Sequence, residues 1–402
     1  MFRRQLSGSK NLWLMRLYYL AYFGAMGSVN PFVNLFYVHN GLSGTEIGVL
    51  NTISAISGMV SAPLWGRLND NVRRPRLLLQ ATLALNALAY YFLSQQTAFL
   101  YMAILIGFNA FISSGINPAS QAQALLAAAE GGAYYGSVRM WGSAGWAIMS
   151  ALSGLIIQRT SLVSAFVAFL VLNLLAAGIL FWVHTPQPVS QTEIKGVKQP
   201  PVPMKEVFHS LIKNRELTCF LLALVSVWVL ANGVNFESVY LQQLGASEGL
   251  IGWENTIGAV IEFPMMLLSD RIMRKRGSKF TLLIGFFSYM LACSAIVIHP
   301  TVVSFFLYRA INGVSLSLYS VSFTYFIVER APAGQSGTML ALYSVTIAGL
   351  LSILMSPVSG RLFDLIGPYW LYVMALVGYT LAAGFILFGV ILHPRRRKAA
   401  ET

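Results

Sequence analysis

Several ionisable residues stand inside long apolar stretches of the chain, where an isolated charge is costly. Glu262 lies near the middle of one stretch, and Arg309 and Arg139 lie inside two others. An ionisable side chain in such a position marks a functional site by default and needs a partner. We expect Glu262 to pair with Arg309. A carboxyl group whose surroundings alternate between water and a nearby arginine can bind and release a proton. The alternative is a permanent ion pair that holds two helices together.

Other polar groups in apolar stretches widen the candidate site. Glu237, toward the end of a stretch, fits a second titratable site, an outer gate, or a surface acid whose carboxylate reaches water. Asn30 and Asn117 each stand next to a proline, which loosens local backbone hydrogen bonding. These two amides and Tyr22 could face a solute, or they could bond and pack against neighbouring helices.

The elements that must position these residues are membrane-spanning helices. The chain is 56% hydrophobic and 10% charged, whereas soluble domains have about 25% charged residues. A span needs roughly 20 apolar residues, and the sequence predicts an all-α polytopic membrane protein with twelve transmembrane helices. The predicted spans are 14–38, 45–65, 76–95, 99–122, 138–158, 162–183, 217–243, 248–270, 280–298, 301–328, 338–362 and 368–392.

The basic residues indicate the topology. Nearly all of the 27 lysines and arginines lie in the N-terminal segment, in every second connection or in the C-terminal tail. The exceptions are Arg159 and Arg361 in the other connections, and Arg139 and Arg309 within stretches. Basic residues are retained on the cytoplasmic face of a membrane. We therefore expect a multi-pass protein of the cell inner or plasma membrane with both termini in the cytoplasm.

One long polar segment, 184–215, contains several prolines and divides the spans into two sets of six. The sequence predicts an N-terminal six-helix half over 1–183 and a C-terminal six-helix half over 216–402, an arrangement typical of internally repeated transporters. Within this cytoplasmic linker, 205–213 places apolar residues on one helical face. We predict a short amphipathic helix there that lies on the membrane surface, most simply as a tether.

Motifs for several other functions are missing from the sequence. Cys219 and Cys293 have no metal or disulfide spacing, and none of the five histidines falls inside a predicted span. No phosphate-binding glycine motif and no hydrolytic triad stands out. We expect no enzyme activity, no metal and no cofactor. The expected partners are a small-molecule substrate, protons and membrane lipids, without nucleic acid, and the chain is expected to be a monomer.

Two related motifs follow the second and eighth spans. Gly66-Arg67-Leu68-Asn69-Asp70-Asn71-Val72-Arg73-Arg74-Pro75-Arg76 resembles the G-x-L-x-D-R-x-G-R-R loop of the major facilitator superfamily, and 269–279 echoes it. The resemblance implies two pseudo-symmetric halves of the major facilitator fold. It also implies a gating loop in each half, which would include Gly66, Asp70, Arg74, Asp270 and Arg271.

The gating motif suggests specific roles for two of its residues. Gly66 would permit close helix contact, and Asp70 would cap and charge-pair with a helix end. A third copy of the motif stands at Gly360-Arg361-Leu362-Phe363-Asp364. By topology it ends the eleventh span on the outer side, so we expect it to form a turn or an outer closing contact.

The first half resembles the lactose-permease branch of this superfamily, most specifically at 135–146. Residues 257–263 resemble the aromatic-acid permeases of the phenylpropionate type. The first resemblance implies that Trp146 stacks on a sugar ring and that Arg139 binds sugar hydroxyls and pairs with an acid. Gln121 stands where that acid would be. Because an amide does not neutralise an arginine, an anionic substrate could supply the missing charge.

The second half departs from the lactose-permease pattern at the positions of proton transfer. Ile311 and Val314 replace a histidine and a glutamate, and Ala348 stands near the place of a lysine. A proton mechanism in this chain must therefore be simpler and depend on a single carboxylate.

Together these features predict a secondary active transporter that carries a small organic solute in symport with protons by alternating access. The solute would be a sugar or glycoside, a nucleoside, or an aromatic or organic anion. The alternative is a proton-antiporting exporter of drugs or a natural product, but no acid lies deep inside the first six spans. The predicted substrate residues are Arg139, Trp146, Gln121, Asn117, Asn30, Tyr22 and Arg309, and the predicted proton-coupling residues are Glu262 and Glu237.

Overall fold

The structure is a computed structural model that describes residues 2–72, 74–184, 214–331 and 336–392, with side chains from Ser9 onward except at Asp70 and Asn71. Every regular element in these residues is a helix. The α-helices are α1 (Phe2–Val29), α2 (Val33–His39), α3 (Gly44–Asn71), α4 (Pro75–Leu93), α5 (Phe99–Ser113), α6 (Ile116–Glu130), α7 (Gly136–Arg159), α8 (Val163–Trp182), α9 (Arg215–Leu230), α10 (Glu237–Gln243), α11 (Glu248–Arg276), α12 (Ser278–Ile298), α13 (Val302–Val328), α14 (Ser336–Ala341), α15 (Ala348–Ile366) and α16 (Pro368–Ile386). A 3-10 helix covers Asn232–Phe236, and π-helical turns cover Leu342–Ile347 and Leu387–Ile391.

The lengths of these helices match the thickness of a membrane. Ten helical spans in the described residues are long and apolar enough to cross one. Two more long helices, α1 with 28 residues and α11 with 29, occupy the first and eighth predicted spans. The interior of α11 carries Glu254 and Glu262, which makes it less apolar than its neighbours. The predicted all-α polytopic architecture is confirmed.

Several predicted spans are broken, contrary to the expectation of continuous helices. The first span stops at Val29 and resumes at Val33, because Pro31 has no backbone N–H to continue the ladder. The fourth is divided between Ser113 and Ile116. The seventh passes through the 3-10 helix, and the eleventh contains the first π-helical turn. Irregular backbone at membrane depth is tolerated where protein or an aqueous cavity surrounds it.

Tertiary contacts divide the chain into two compact units. The first unit contains Met1–Gly196, Phe236–Val260 and Ser356–Leu365, and the second contains Val197–Asn235, Ile261–Met355 and Ile366–Thr402. The first unit therefore includes segments that the sequence assigns to the C-terminal half. The predicted half boundaries at 183 and 216 stay predictions, and the predicted tether helix at 205–213 lies outside the described residues.

Small residues hold α1 against α7 in the first unit. A β-carbon built at Gly27 would lie 2.6 Å from the carbonyl oxygen of Trp146, and one built at Gly145 would collide with the carbonyl oxygen of Leu20. Such close backbone approach is typical of membrane helix pairs. It fixes the rotation of α7, and so decides which residues of α7 face the rest of the unit.

An aromatic core and a charged network stabilise the second unit. Phe220 of α9 packs against Phe326 of α13 with ring centroids 4.8 Å apart. One turn from this core, Glu216 accepts hydrogen bonds from Lys279 Nζ at 2.6 Å and from Arg330 Nε at 2.5 Å. These charge-assisted bonds join the beginnings of α9 and α12 to the end of α13.

The contact between α1 and α7 leads to a first prediction. We expect Gly145→Ala to lower the thermal unfolding temperature of the purified protein, because overpacking costs about 1–3 kcal/mol. Gly178→Ala is the matched control, since Gly178 also lies within a helix of the first unit but has no described atom within 4 Å of a built β-carbon. Gly178→Ala should leave that temperature unchanged or raise it. An unfolding temperature that is equally low in both variants would contradict the packing role of Gly145.

Candidate functional site

The predicted substrate residues of α7 share one face of that helix. Arg139, Ser143 and Trp146 follow one another at spacings of four and three residues, and all three are half-buried. Arg139 Nη1 lies 3.5 Å from the Ser143 hydroxyl, and the guanidinium lies 4.3 Å from the ring centroid of Phe23. Among the residues that the structure describes, Arg139 forms no ion pair with a carboxylate. An aromatic face and a hydroxyl thus accompany a guanidinium whose charge no described acid neutralises.

Two residues of α6 continue this group of side chains. The Tyr22 hydroxyl donates to Asn117 Oδ1 at 3.1 Å, and the ring of Tyr22 meets that of Phe23 edge to face at 5.2 Å. Gln121 lies one turn beyond Asn117, and both amides are exposed. We call Tyr22, Phe23, Asn117, Arg139 and Ser143 the Arg139 cluster. Sequence reasoning missed Phe23, although it is adjacent to Tyr22.

Asn30 lies apart from the Arg139 cluster. It follows the last residue of α1, and its backbone N–H donates to the Met26 carbonyl oxygen at 3.0 Å. It stands eight residues after Tyr22, about 12 Å along a helix. The exposed Asn30 side chain therefore marks the break at Pro31 and does not extend the cluster.

The second unit holds the predicted proton-coupling pair. Glu262 of α11 and Arg309 of α13 are both half-buried. Both side chains lie within electrostatic range of the Tyr289 hydroxyl on α12. The Ser317 hydroxyl donates to the Glu262 carbonyl oxygen at 3.0 Å, which joins α11 to α13 at the level of the acid. The structure thus places Glu262 and Arg309 near one aromatic neighbour, and their pairing stays a prediction.

Two further acids belong to the first unit. Glu237 is the first residue of α10, and one of its carboxylate oxygens is fully buried, which argues against the surface-acid alternative. Glu254 of α11, which sequence reasoning missed, has no exposed surface, and its Oε2 accepts a hydrogen bond from Asn255 Nδ2 at 3.0 Å. The signal was available, because Glu254 stands inside an apolar stretch as Glu262 does.

The predicted gating-loop residues lie mostly on helices, which corrects the loop assignment. Gly66 and Asp70 belong to the last turns of α3, and Asp270 and Arg271 to those of α11, whereas Arg74 precedes α4. Helical propensity of the flanking residues continues each helix through the motif. No described atom lies within 4 Å of a β-carbon built at Gly66, so the predicted close helix contact there is wrong for this structure. Asp270 forms an ion pair with Arg274 at 2.9 Å.

The third copy of the motif forms a contact with the beginning of α3, and the alternative of a turn is wrong. Residues 360–364 are helical within α15, and the chain turns only at Gly367, where φ is 80°. Asp364 accepts hydrogen bonds from the backbone N–H groups of Gly44 and Thr45, at 2.6 and 2.8 Å, and from the Thr45 hydroxyl at 2.6 Å. Those N–H groups begin α3 and have no partner within the helix, so a carboxylate there is stabilised. We call this the Asp364 latch.

The Asp364 latch is part of a closely packed helix contact. A β-carbon at Gly44 would lie 2.7 Å from the Gly360 carbonyl oxygen, so α3 and α15 meet backbone to backbone. The ring of Phe363 stacks on that of Phe236, with centroids 4.5 Å apart. Segments from both sequence halves therefore meet at this end of the first unit.

Long apolar helices, with broken spans and ionisable groups inside them, are the features of a polytopic membrane protein and are typical of transporters of small solutes. The family model described as the MFS_1 like family matches residues 12–374. The chain belongs to that family, within the major facilitator superfamily. It is a secondary transporter located in a membrane, and not an enzyme.

The chain is similar to several known transporters along almost its whole length. It is 26% identical to the maltose permease of Geobacillus stearothermophilus, over 96% of this chain and 95% of that protein. It is 25% identical to the "Probable 3-phenylpropionic acid transporter" of Escherichia coli (strain K12), over 91% of this chain and 94% of that protein. A mutant of the nucleoside transporter NupG shares the fold, with a TM-score of 0.77, 15% identity and coverage of 96% and 100% of the two chains. The predicted fold and transporter class are confirmed.

The Asp364 latch makes a local prediction. In Asp364→Ala, the backbone amides of Gly44 and Thr45 should exchange hydrogen for deuterium at least about tenfold faster, because a hydrogen bond to a charged group contributes about 1.5–3 kcal/mol. Residue-resolved exchange mass spectrometry measures this. Glu46→Gln is the control, because Glu46 bonds only Ser43 at the same helix end. Unchanged exchange at Gly44 and Thr45 in Asp364→Ala would refute the latch.

Proposed function

We propose that this protein imports a small organic solute together with protons by alternating access. Glu262 is the proton-binding group, Arg309 is its partner, and the Arg139 cluster binds polar or charged groups of the solute. The observation that carries this proposal is the position of Glu262 and Arg309 on adjacent helices inside the second unit, both within range of Tyr289. The protein then lies in the cell inner or plasma membrane as a monomer, with both termini in the cytoplasm.

Proton coupling needs an acid whose environment differs between two conformations. Water stabilises the carboxylate of Glu262 and burial destabilises it, whereas a close guanidinium favours the charged form. A rearrangement that separates Glu262 from Arg309 or removes its water therefore changes the proton affinity of this carboxyl. Glu262 is half-buried, so both environments are within reach of a modest helix movement.

The chemistry of the Arg139 cluster favours a solute with a carboxylate. An intramembrane arginine is costly without a counter-charge, and a carboxylate is the bidentate partner that a guanidinium binds best. The likeness to a protein named as a phenylpropionic acid transporter supports an organic anion. A neutral sugar is the second candidate, favoured by Trp146 on the same face as Arg139 and by the likeness to a maltose permease.

The Asp364 latch supports alternating access. We propose that it lies on the outer side of the membrane and closes that side when Asp364 binds the beginning of α3. The predicted export alternative is disfavoured by the distribution of acids. In the described helices of residues 2–182, the acids Glu46, Asp70 and Glu130 lie within the first or last turn of their helices, far from mid-span.

Removing the charge of Glu262 tests proton coupling. We expect Glu262→Gln to abolish uphill accumulation of solute in proteoliposomes under an inward proton gradient while solute exchange continues, because the amide cannot release a proton. Glu248→Gln, at the first residue of the same helix, should retain uphill uptake. If Glu262→Gln still accumulates solute against its gradient, Glu262 is not the coupling group.

Removing the charge of Arg139 tests the substrate site. A thermal-shift screen that includes 3-phenylpropionate and maltose should identify compounds that stabilise the parent protein. Arg139→Ala should lose that stabilisation, since a charge-assisted bond contributes about 1.5–3 kcal/mol, or more than tenfold in affinity. Arg159→Ala, in the last turn of the same helix, should keep it. Undiminished stabilisation of Arg139→Ala would exclude this arginine from the site.

A further inference from the structure

The second unit contains an aromatic cavity separate from the Arg139 cluster. The cavity has a volume of about 210 Å³ and lies between α9, the 3-10 helix, α12, α13 and α16. Five of its lining side chains carry rings, and they are Trp228, Phe286, Tyr289, Tyr319 and Tyr379. Trp228 is 36% exposed and is the most exposed of the five rings.

The rings that line this cavity are held in place by one another. Tyr289 and Tyr379 stack in parallel with centroids 4.7 Å apart, and Tyr319 lies 5.7 Å from Phe286 and 6.5 Å edge-on from Tyr289. Aromatic pairs prefer such offset or edge-to-face arrangements at 4.5–7 Å. The walls are therefore pre-formed, and a further ring could extend the same pattern without rearrangement.

The size and composition of the cavity select the kind of ring. Its volume equals that of roughly seven water molecules in liquid water. This volume suits a single ring rather than a disaccharide. A pyranose would direct hydroxyl groups all around its edge. Asn232 and Asn235 could meet polar groups at one side of the cavity. However, the aliphatic and phenyl walls at Leu224, Val227 and Phe286 offer hydroxyls on their side no partner, and unpaired buried hydroxyls are costly. A phenyl ring has no such requirement.

The cavity is also adjacent to the proposed coupling pair. Tyr289 forms part of its wall and lies within electrostatic range of both Glu262 and Arg309. A ring that packs against Tyr289 would therefore exclude water close to the pair. Tyr289 is thus the residue through which occupancy of the cavity could influence the proposed coupling pair.

We propose that this cavity binds a phenyl-sized aromatic ring of the transported solute, so that the substrate is an aromatic compound. That the bound ring belongs to the transported substrate rests on the proposed function. The binding of an aromatic ring is by itself a property of the second unit alone.

The test compares probes that differ only in a phenyl group, on the full chain purified in nanodiscs. Calorimetry measures 3-phenylpropionate against propionate, and phenyl glucoside against methyl glucoside. In at least one pair, the phenyl member should bind at least tenfold more tightly. Its binding should quench tryptophan fluorescence in the parent protein but not in Trp228→Phe. Ala231→Trp fills the cavity and should remove the phenyl preference. Leu222→Trp, on the exposed surface of the same helix, should keep it.

Two results would overturn the aromatic-ring proposal. One is absent or equal binding of the phenyl members, and the other is a phenyl preference that survives in Ala231→Trp while that variant unfolds at the temperature of the parent. The proposed function fails separately, if proteoliposomes with the parent protein accumulate none of the four probes under a proton gradient. Tight phenyl binding without uptake would thus keep the cavity and reject the transport role.

Discussion

The free-energy cost of a charge within an apolar helix bundle governs how this protein is built. An arginine or acid at membrane depth costs several kcal/mol by most measures, so each must be compensated by something the fold provides. Glu262 and Arg309 approach a common tyrosine, Tyr289, on the helix between them in sequence. Arg139 instead has an aromatic face and a hydroxyl, without a described carboxylate. The two units therefore differ: the second holds an acid and an arginine near one tyrosine, whereas the arginine of the first has no described acidic partner.

The close backbone contacts of the first unit determine where its charge points. Arg139 can reach Phe23 only because α7 is rotated and pressed against α1 at Gly145 and Gly27. Phe23 then connects, through Tyr22, to the amide of Asn117. The close packing of α1 against α7 thus sets the positions of the polar and charged groups in the Arg139 cluster. The same small residues that let two helices approach also make the cluster sensitive to any substitution that separates them.

The sequence predicts the structure best where a feature depends on one helix alone. Runs of apolar residues predict helices because lipid offers the backbone no hydrogen-bonding partner, and Pro31 explains the first break. Features that depend on contacts between distant parts of the chain were harder to predict from the sequence. The partner of Asp364 is the beginning of α3, about 320 residues earlier, which no local pattern encodes. Gly66 matched a family motif but has open space around it. Glu254 has the same sequence signal as Glu262, an acid inside an apolar stretch, and was overlooked. Only packing shows that Glu254 is fully buried and that Glu262 is half-buried.

In the proposed alternating-access cycle, the Asp364 latch would set the scale of free energy that transport has to control. Because Asp364 is exposed to solvent, its three hydrogen bonds contribute at or below the low end of about 1.5–3 kcal/mol each, and with a helix-end charge effect of about 0.3–1 kcal/mol the contact amounts to roughly 5 kcal/mol at most. To reverse a conformational ratio from 1:99 to 99:1, a ligand must discriminate by about 5.5 kcal/mol. Protonating one acid or binding one small solute supplies a similar or smaller amount. A much stronger latch would keep the protein closed, and a much weaker one would let protons cross without solute. A single carboxylate on a helix end is of the right strength for a contact that must form and break in every cycle.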